Sequence, residues 1–136
     1  MRAINKIIVH CSATSEGKDF SAHDIDIWHK QRGFTGIGYH YVVRLDGTVE
    51  KGRADSAVGA HCQGHNKNSI GVCYIGGLLS DGKTPADTRT DAQKKSLLEL
   101  LSRLRQMYPC ATILGHRDLS NKACPCFDAK KEYELL

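Results

Sequence analysis

The strongest local signal in the sequence lies in residues 39–51. Apolar and polar side chains alternate along this stretch, and Asp46-Gly47 interrupts the alternation. A period of two is typical of half-buried strands, and an Asp-Gly pair favours a two-residue type I′ turn, so we predict a β-hairpin. Because successive side chains of a strand point to opposite faces, Tyr39 and Tyr41 are expected on one face and His40 on the other.

Further strands and helices follow from short apolar runs and from apolar residues at helical spacing. Strands are predicted at Ile4–His10, Ile70–Ile75 and Ala111–Leu114. Helices are predicted at Ala22–Gln31 after an N-cap at Ser21, from Thr90 to Pro109, and at Asp128–Leu136. The buried stripe of the second helix is expected to comprise Leu97, Leu98, Leu101, Leu104 and Met107.

The order of these elements fits a single layered α/β domain with a central mixed β-sheet flanked by helices. With 136 residues the chain has the length of one ordinary domain. We therefore expect residues 1–136 to form one domain with one core and one site. Apolar residues make up 40% of the chain and charged residues 25%, as is usual for folded globular proteins.

Charge and hydropathy argue against several classes of partner. The formal net charge of +4 is spread along the sequence, so we expect no nucleic-acid surface. No segment approaches the roughly 20 apolar residues that a membrane span needs. The N-terminus lacks the long apolar core of a secretory signal, so we expect a chain that is cytoplasmic as synthesised. We also expect a monomer.

Three side chains that could hold a metal ion lie at the end of a predicted strand or in the loop after one: His10, His116 and Cys124. Such positions cluster on one edge of a sheet. Two imidazoles and one thiolate fill three positions of a zinc ion and leave the fourth for water, as in catalytic zinc sites. The seven histidines and six cysteines allow many other combinations, so the residues alone leave this set open. An HExxH helix is absent, and without an export signal we expect free thiols and a metal ligand among the cysteines.

Short strings that occur together and in order along nearly the whole chain point to one family. They are IVHCSAT at 8–14, GYHY at 38–41, DGTVE at 46–50, AVGAH at 57–61, NSIGVC at 68–73 and KACP at 122–125. By these strings the chain resembles the bacteriophage T7 lysozyme type of N-acetylmuramoyl-L-alanine amidase, a zinc-amidase group that includes the peptidoglycan recognition proteins. The resemblance implies a peptidoglycan substrate, cleaved at the amide bond between N-acetylmuramic acid and L-alanine. It also implies a bacteriolytic endolysin of a phage or prophage, which reaches the cell wall after release.

The resemblance further implies roles for individual residues. The ligands of one zinc ion per chain would be His10, His116 and Cys124. Tyr39 and Lys122 would be catalytic: Tyr39 would orient or deprotonate the attacking water, and Lys122 would stabilise charge on the amide oxygen. His61 would bind substrate or support a ligand. Cys126 departs from the group, which has serine there, and this thiol could compete for zinc or oxidise with Cys124; we expect zinc to bind through Cys124.

Simpler interpretations apply to several of these side chains. Without the resemblance, Tyr39 would be a packing aromatic and Lys122 a solvated loop residue. Trp28 is assigned to the core because of its helical spacing with Ile25. No role is given to His23, His29, His40 and His65.

Other functions remain open on the sequence. A peptidoglycan-binding module without catalysis is one, although members that only bind typically lack the cysteine ligand. A cysteine hydrolase that uses Cys11 or Cys62 with a histidine is another, and it would survive metal removal. Phage enzymes of this type can also bind their phage's RNA polymerase, which nothing in these residues supports or excludes. A toxin delivered by a secretion system fits the missing export signal equally well.

Overall fold

A mixed β-sheet with helices packed against it forms the centre of the molecule. The computed structural model describes residues 2–136, so the first residue of the predicted domain lies outside the described residues. The strands are β1 Lys6–Cys11, β2 Thr14–Ser15, β3 Tyr41–Val43, β4 Val49–Lys51, β5 Ser69–Tyr74, β6 Gly77–Leu78 and β7 Thr112–Gly115. The helices are α1 Ala22–Gln31, α2 Asp91–Met107 and α3 Ala129–Glu132, and a single 3₁₀ turn spans His116–Asp118.

The five-stranded sheet has the order β4-β3-β5-β1-β7. Strand β1 runs parallel to both β5 and β7, β3 runs parallel to β5, and β4 pairs antiparallel with β3. This arrangement confirms the predicted mixed sheet. A second, two-stranded sheet joins β2 and β6. It was not predicted, because strands of two residues are too short to carry a periodic pattern.

Two buried clusters lie on the two sides of the main sheet. The larger one packs residues such as Ile7, Val72 and Leu101 between the sheet, α2 and α3. The smaller one packs α1 through Ile25 against Val42 and its neighbours. Because both faces are covered, the central strands are apolar along their whole length, as in other buried parallel strands.

Helix α1 begins and ends where the sequence predicts. The Ser21 side chain accepts the backbone N–H of Asp24, and the Asp24 carboxylate accepts the N–H of Ser21, which is a complete capping box. Gly33 follows the helix with φ +93°. Trp28 is half-buried against the Ile25 cluster, in agreement with its assignment to the core.

Helix α2 shows the predicted cap at Thr90 but a different buried stripe. Leu98 and Met107 are wrong predictions, since they are 48% and 58% exposed. Leu98 directly follows Leu97 and is therefore turned about 100° away from the buried face, while Met107 lies in the last turn. Gln93, which was missed, is buried and donates to the carbonyls of Val43 (3.3 Å) and Ile75 (2.9 Å).

The hairpin exists, but its predicted two-residue turn is wrong. The N–H of Gly47 donates to the carbonyl of Arg44 (2.9 Å) and the N–H of Arg44 to the carbonyl of Thr48 (2.9 Å), which leaves a three-residue loop. Gly47 takes φ +89°, as expected for a type I turn followed by a left-handed glycine. Helix α2 holds this loop, because the hydroxyl of Ser96 donates to the carbonyl of Gly47 (2.6 Å).

The predicted faces of the two tyrosines are also wrong. Tyr39 packs with the Ile25 cluster and Tyr41 with the larger cluster, so they lie on opposite sides of the sheet. The cause is a bend at His40 before β3 begins. There the His40 ring takes the place of a backbone acceptor: its Nδ1 accepts the N–H of Gly71 (3.0 Å), while the His40 N–H donates to the Gly71 carbonyl (2.9 Å).

The predicted C-terminal helix is shorter in the structure, where α3 spans only Ala129–Glu132 after an N-cap at Asp128. Among the described residues, no helix has both the length and the apolar character to cross a membrane.

Candidate metal centre and cleft

Two histidines come together because their strands are parallel neighbours. His10 is the penultimate residue of β1. Val9 pairs with Gly115, the last residue of β7, so His116 comes directly beside His10. The two ring centroids are 4.6 Å apart. Ligand sites in open α/β sheets commonly lie at these carboxyl ends of strands. Both histidines are buried, and His116 lines a cleft of about 780 Å³.

The loop after His116 returns Cys124 to the same place. The N–H of Arg117 donates to the carbonyl of Cys124 (2.7 Å), which closes the loop. The N–H of Cys11 donates to the sulfur of Cys124 (3.1 Å). One ligand atom each from His10, His116 and Cys124 lies within 4.8 Å of the others. The structure therefore assembles the three side chains that were predicted to hold a metal ion.

The electrostatics of this group favour neutral imidazoles. Burial lowers the pKa of His10 well below its usual value, and the nearby His61, His116 and Lys122 lower it further. Burial and the charge of Lys122 also lower the pKa of His116. A histidine binds a metal ion through a neutral nitrogen, so these environments suit ligands.

His61 is bound to one of the candidate ligands. Its Nδ1 lies 2.8 Å from Nε2 of His10, and its Nε2 lies 3.2 Å from the hydroxyl of Ser69. The ring fits only because residue 71 is glycine: a Cβ there would lie 2.6 Å from Cγ of His61. Burial lowers the pKa of His61 to about 3. His61 also lines the cleft, where it is accessible to a ligand. Its contact with substrate stays a prediction.

We call His10, His116 and Cys124 the metal group. Tyr39 and Lys122 line the cleft together with two of its members, His116 and Cys124. The Tyr39 ring lies 5.1 Å from that of His10, measured between centroids. Burial raises the pKa of the Tyr39 phenol well above its usual value, and neighbouring thiols add to this. The phenol therefore keeps its proton in this environment. Lys122 is exposed, and its positive charge lowers the pKa of both His10 and His116.

Sequence reasoning missed part of the cleft wall. His29 is buried and accepts the N–H of Gly38 at Nδ1 (2.9 Å). Its ring centroid lies 5.1 Å from that of Phe34 and 5.5 Å from that of Tyr39, in edge-to-face and tilted contacts. Phe34 and Arg32 line the same side. The buried position of His29 in α1 could be predicted from its spacing with Ile25, but its proximity to Tyr39 depends on the chain reversal after the helix.

Cys126 does not belong to the metal group. Its sulfur lies 4.0 Å from the sulfur of Cys11 and donates to the carbonyl of Gly77 (3.3 Å). The predicted ligand, Cys124, is the cysteine that faces the two histidines.

Comparisons with known proteins agree with this arrangement. The sequence pattern of the family described as N-acetylmuramoyl-L-alanine amidase matches residues 1–127. The chain is 45% identical to the endolysin of Escherichia phage T7 over 128 residues, which are 94% of this chain and 84% of the phage protein. It is 44% identical to the endolysin of Klebsiella phage KP32 over 130 residues, which are 96% and 85% of the two chains. The solved structure of N-acetylmuramoyl-L-alanine amidase LysC from Clostridium intestinale URNW matches with a TM-score of 0.80 and 31% identity, over 96% of this chain and 82% of that one.

Proposed function

Because the chain belongs to the N-acetylmuramoyl-L-alanine amidase family, we infer that it hydrolyses the amide bond between N-acetylmuramic acid and L-alanine in peptidoglycan. One observation carries this inference from the structure. His10, His116 and Cys124 offer ligand atoms within 4.8 Å of one another, and two of them, His116 and Cys124, line the same cleft as Tyr39 and Lys122. The cell wall is therefore the site of action.

Zinc is the ion that this donor set fits, with one ion per chain. Two imidazoles and one cysteine sulfur match the three protein ligands of a catalytic zinc site, and the cleft that His116 and Cys124 line would give water access to a bound ion. The Cys11 N–H donates to the Cys124 sulfur and holds it beside the two histidines. When bound, zinc activates water as a nucleophile and polarises the amide carbonyl.

His61 would hold the ligand ring of His10 in place. The bond from His61 occupies Nε2 of His10 and leaves Nδ1 for the ion. Ser69 in turn fixes the far side of the His61 ring. Such partners orient ligating histidines, and their loss typically weakens metal binding about 10- to 100-fold.

Tyr39 and Lys122 would divide the remaining chemistry. The protonated Tyr39 hydroxyl would orient the attacking water and pass a proton toward the leaving amine of L-alanine. The ammonium group of Lys122 would lie near the amide oxygen and stabilise its developing negative charge. Aspartate and glutamate are absent from the described lining of the cleft, so no carboxylate there can take the proton of the attacking water.

The amidase domain is proposed to span residues 1–136, including those beyond the family match. Ala129 and Tyr133 are buried in the larger core cluster. The guanidinium of Arg89 bonds to the carboxylate of Glu132 (2.7 Å). These contacts support a terminal segment that folds with the rest of the domain, which we propose acts as a monomer.

A cysteine hydrolase is the second enzyme class to consider, and the thiols disfavour it. Hydrogen bonding to Cys124 and burial raise the pKa of Cys11, and burial raises the pKa of Cys62. A nucleophilic cysteine needs the opposite shift, because the thiolate is the reactive form.

The test is digestion of purified peptidoglycan with and without a zinc chelator, with mass spectrometry of the soluble products. The expected products are free stem peptides that begin with L-alanine. Their release should stop after chelation and return when zinc is added. Intact muropeptides despite tight wall binding would instead indicate a recognition module, and release that resists chelation would indicate thiol chemistry.

A further inference from the structure

The cleft carries positive charge without any compensating acid. Its described lining residues include one arginine, Arg32, and one lysine, Lys122. None of them is aspartate or glutamate. A cleft lined by one sign of charge attracts ligands of the opposite sign, and walls of low dielectric strengthen the effect. The positive charges of the cleft are therefore suited to an anionic group of a bound ligand.

Arg32 lies on the Tyr39 side of the cleft. It follows α1 directly, and its guanidinium carbon lies 5.1 Å from the centroid of the Phe34 ring. Phe34 contacts His29, which contacts Tyr39, so a continuous row of rings joins the arginine to the proposed proton carrier. Stacking on an aromatic ring orients a guanidinium and leaves its N–H donors accessible.

The Arg32 side chain has no partner for these donors among the described residues. It is exposed and takes part in none of the ion pairs. Arg44 and Arg89, by contrast, pair with carboxylates, and Arg53 donates to the carbonyls of Ile37 and Val58. A guanidinium that lines a cleft and has no internal acceptor is available to a ligand.

We propose that Arg32 binds a carboxylate of the stem peptide, so that the cleft selects stems with free carboxylates over stems with amidated ones. The proposal rests on the amidase function inferred above. The stem that follows L-alanine contains acidic residues whose carboxyl groups are either free or converted to amides. A guanidinium forms paired, charge-assisted hydrogen bonds with a carboxylate and loses both the charge and one acceptor when that group is an amide. Arg32 thus acts as a specificity residue.

The test measures kcat/KM on a set of synthetic muramoyl-tripeptides in which one carboxyl group at a time is amidated. The zinc-loaded wild-type protein is expected to prefer one free carboxylate by roughly tenfold, a difference of the size that a charge-assisted bond gives. Arg32→Gln should lose this preference because it slows far more on the free carboxylate than on the amidated stem, whose amide oxygen is the one acceptor left. An unchanged urea unfolding midpoint should show that the variant is folded. Arg32→Lys should retain part of the preference.

Arg103→Gln is the matched control, because Arg103 lies exposed on α2 and outside the cleft. It removes the same charge and should keep the wild-type preference. If Arg32→Gln retains the preference, or if the wild type hydrolyses all stems equally, the inference about Arg32 is overturned while the amidase function stands. If no stem is hydrolysed by any of the proteins, the proposed function itself fails.

Discussion

At the level of single residues, the Tyr39 hydroxyl is the group whose role is most directly testable. The ring packs beside His10 and His29, and the phenol lines the cleft. Tyr39→Phe removes the hydroxyl and keeps the ring. We expect kcat to fall at least ~100-fold, since positioned proton carriers typically contribute that much or more. The zinc content should not change, because no ligand atom is lost. Initial rates on peptidoglycan and metal analysis of the purified variant give the two quantities.

Tyr108→Phe provides a matched control for this change. Its hydroxyl donates to Asp55 (3.0 Å), and the side chain does not line the cleft. The control variant should turn over at the wild-type rate. Equal turnover of Tyr39→Phe and the wild type would reject the role of Tyr39. A loss of zinc in Tyr39→Phe would show that the hydroxyl supports the metal group instead.

At the level of elements, Arg89 connects the segment before α2 to α3. Its side chain is only 3% exposed, pairs with Asp87 (2.8 Å) and Glu132 (2.7 Å), and lies over the Phe127 ring at 3.4 Å. Arg89→Met should lower the free energy of unfolding by about 2 kcal/mol. The cost stays moderate because both carboxylates are partly exposed and remain hydrated. Urea unfolding measures the change, and Arg103→Met on the exposed face of α2 should shift stability by less than about 0.5 kcal/mol. A similar loss in both variants would contradict a specific role for Arg89.

The elements also show what the sequence could predict. Helix α1 was predicted at its exact ends because Ser21 and Gly33 act on neighbouring residues. The length of the hairpin loop could not be predicted in this way, because Ser96 of α2, in a distant part of the chain, bonds to the loop. The candidate site likewise has a part that the sequence predicts and a part that it does not. The two histidines proposed as ligands lie at strand ends that the pattern indicates, whereas the bond between His10 and His61 joins residues 51 positions apart.

At the level of the whole molecule, buried neutral histidines link folding to pH. His40 is fully buried, and its ring bonds to the carbonyl of Ala57 (2.8 Å) and the N–H of Gly71 (3.0 Å). These bonds join the loop before His61 to the central strand β5. Acceptance of the Gly71 N–H requires an unprotonated Nδ1, so the fold is built around the neutral ring.

Stability should therefore fall as the pH drops below the usual histidine pKa. Burial lowers the pKa of folded His40 from 6.5, and the charge of Arg2 opposes protonation further while Asp55 favours it. Above pH 6.5 both folded and unfolded chains hold a neutral ring, and stability is complete. Below it the unfolded chain takes up a proton that the folded chain does not, so the free energy of unfolding declines by up to about 1.4 kcal/mol per pH unit until the folded pKa is reached.

Urea unfolding of the chelated protein between pH 7.5 and 5.0, values chosen to bracket the histidine pKa of about 6.5, measures this slope. His40→Gln should be less stable at pH 7.5 yet decline less steeply, because glutamine cannot titrate; a variant with the wild-type slope would show that other groups carry the linkage.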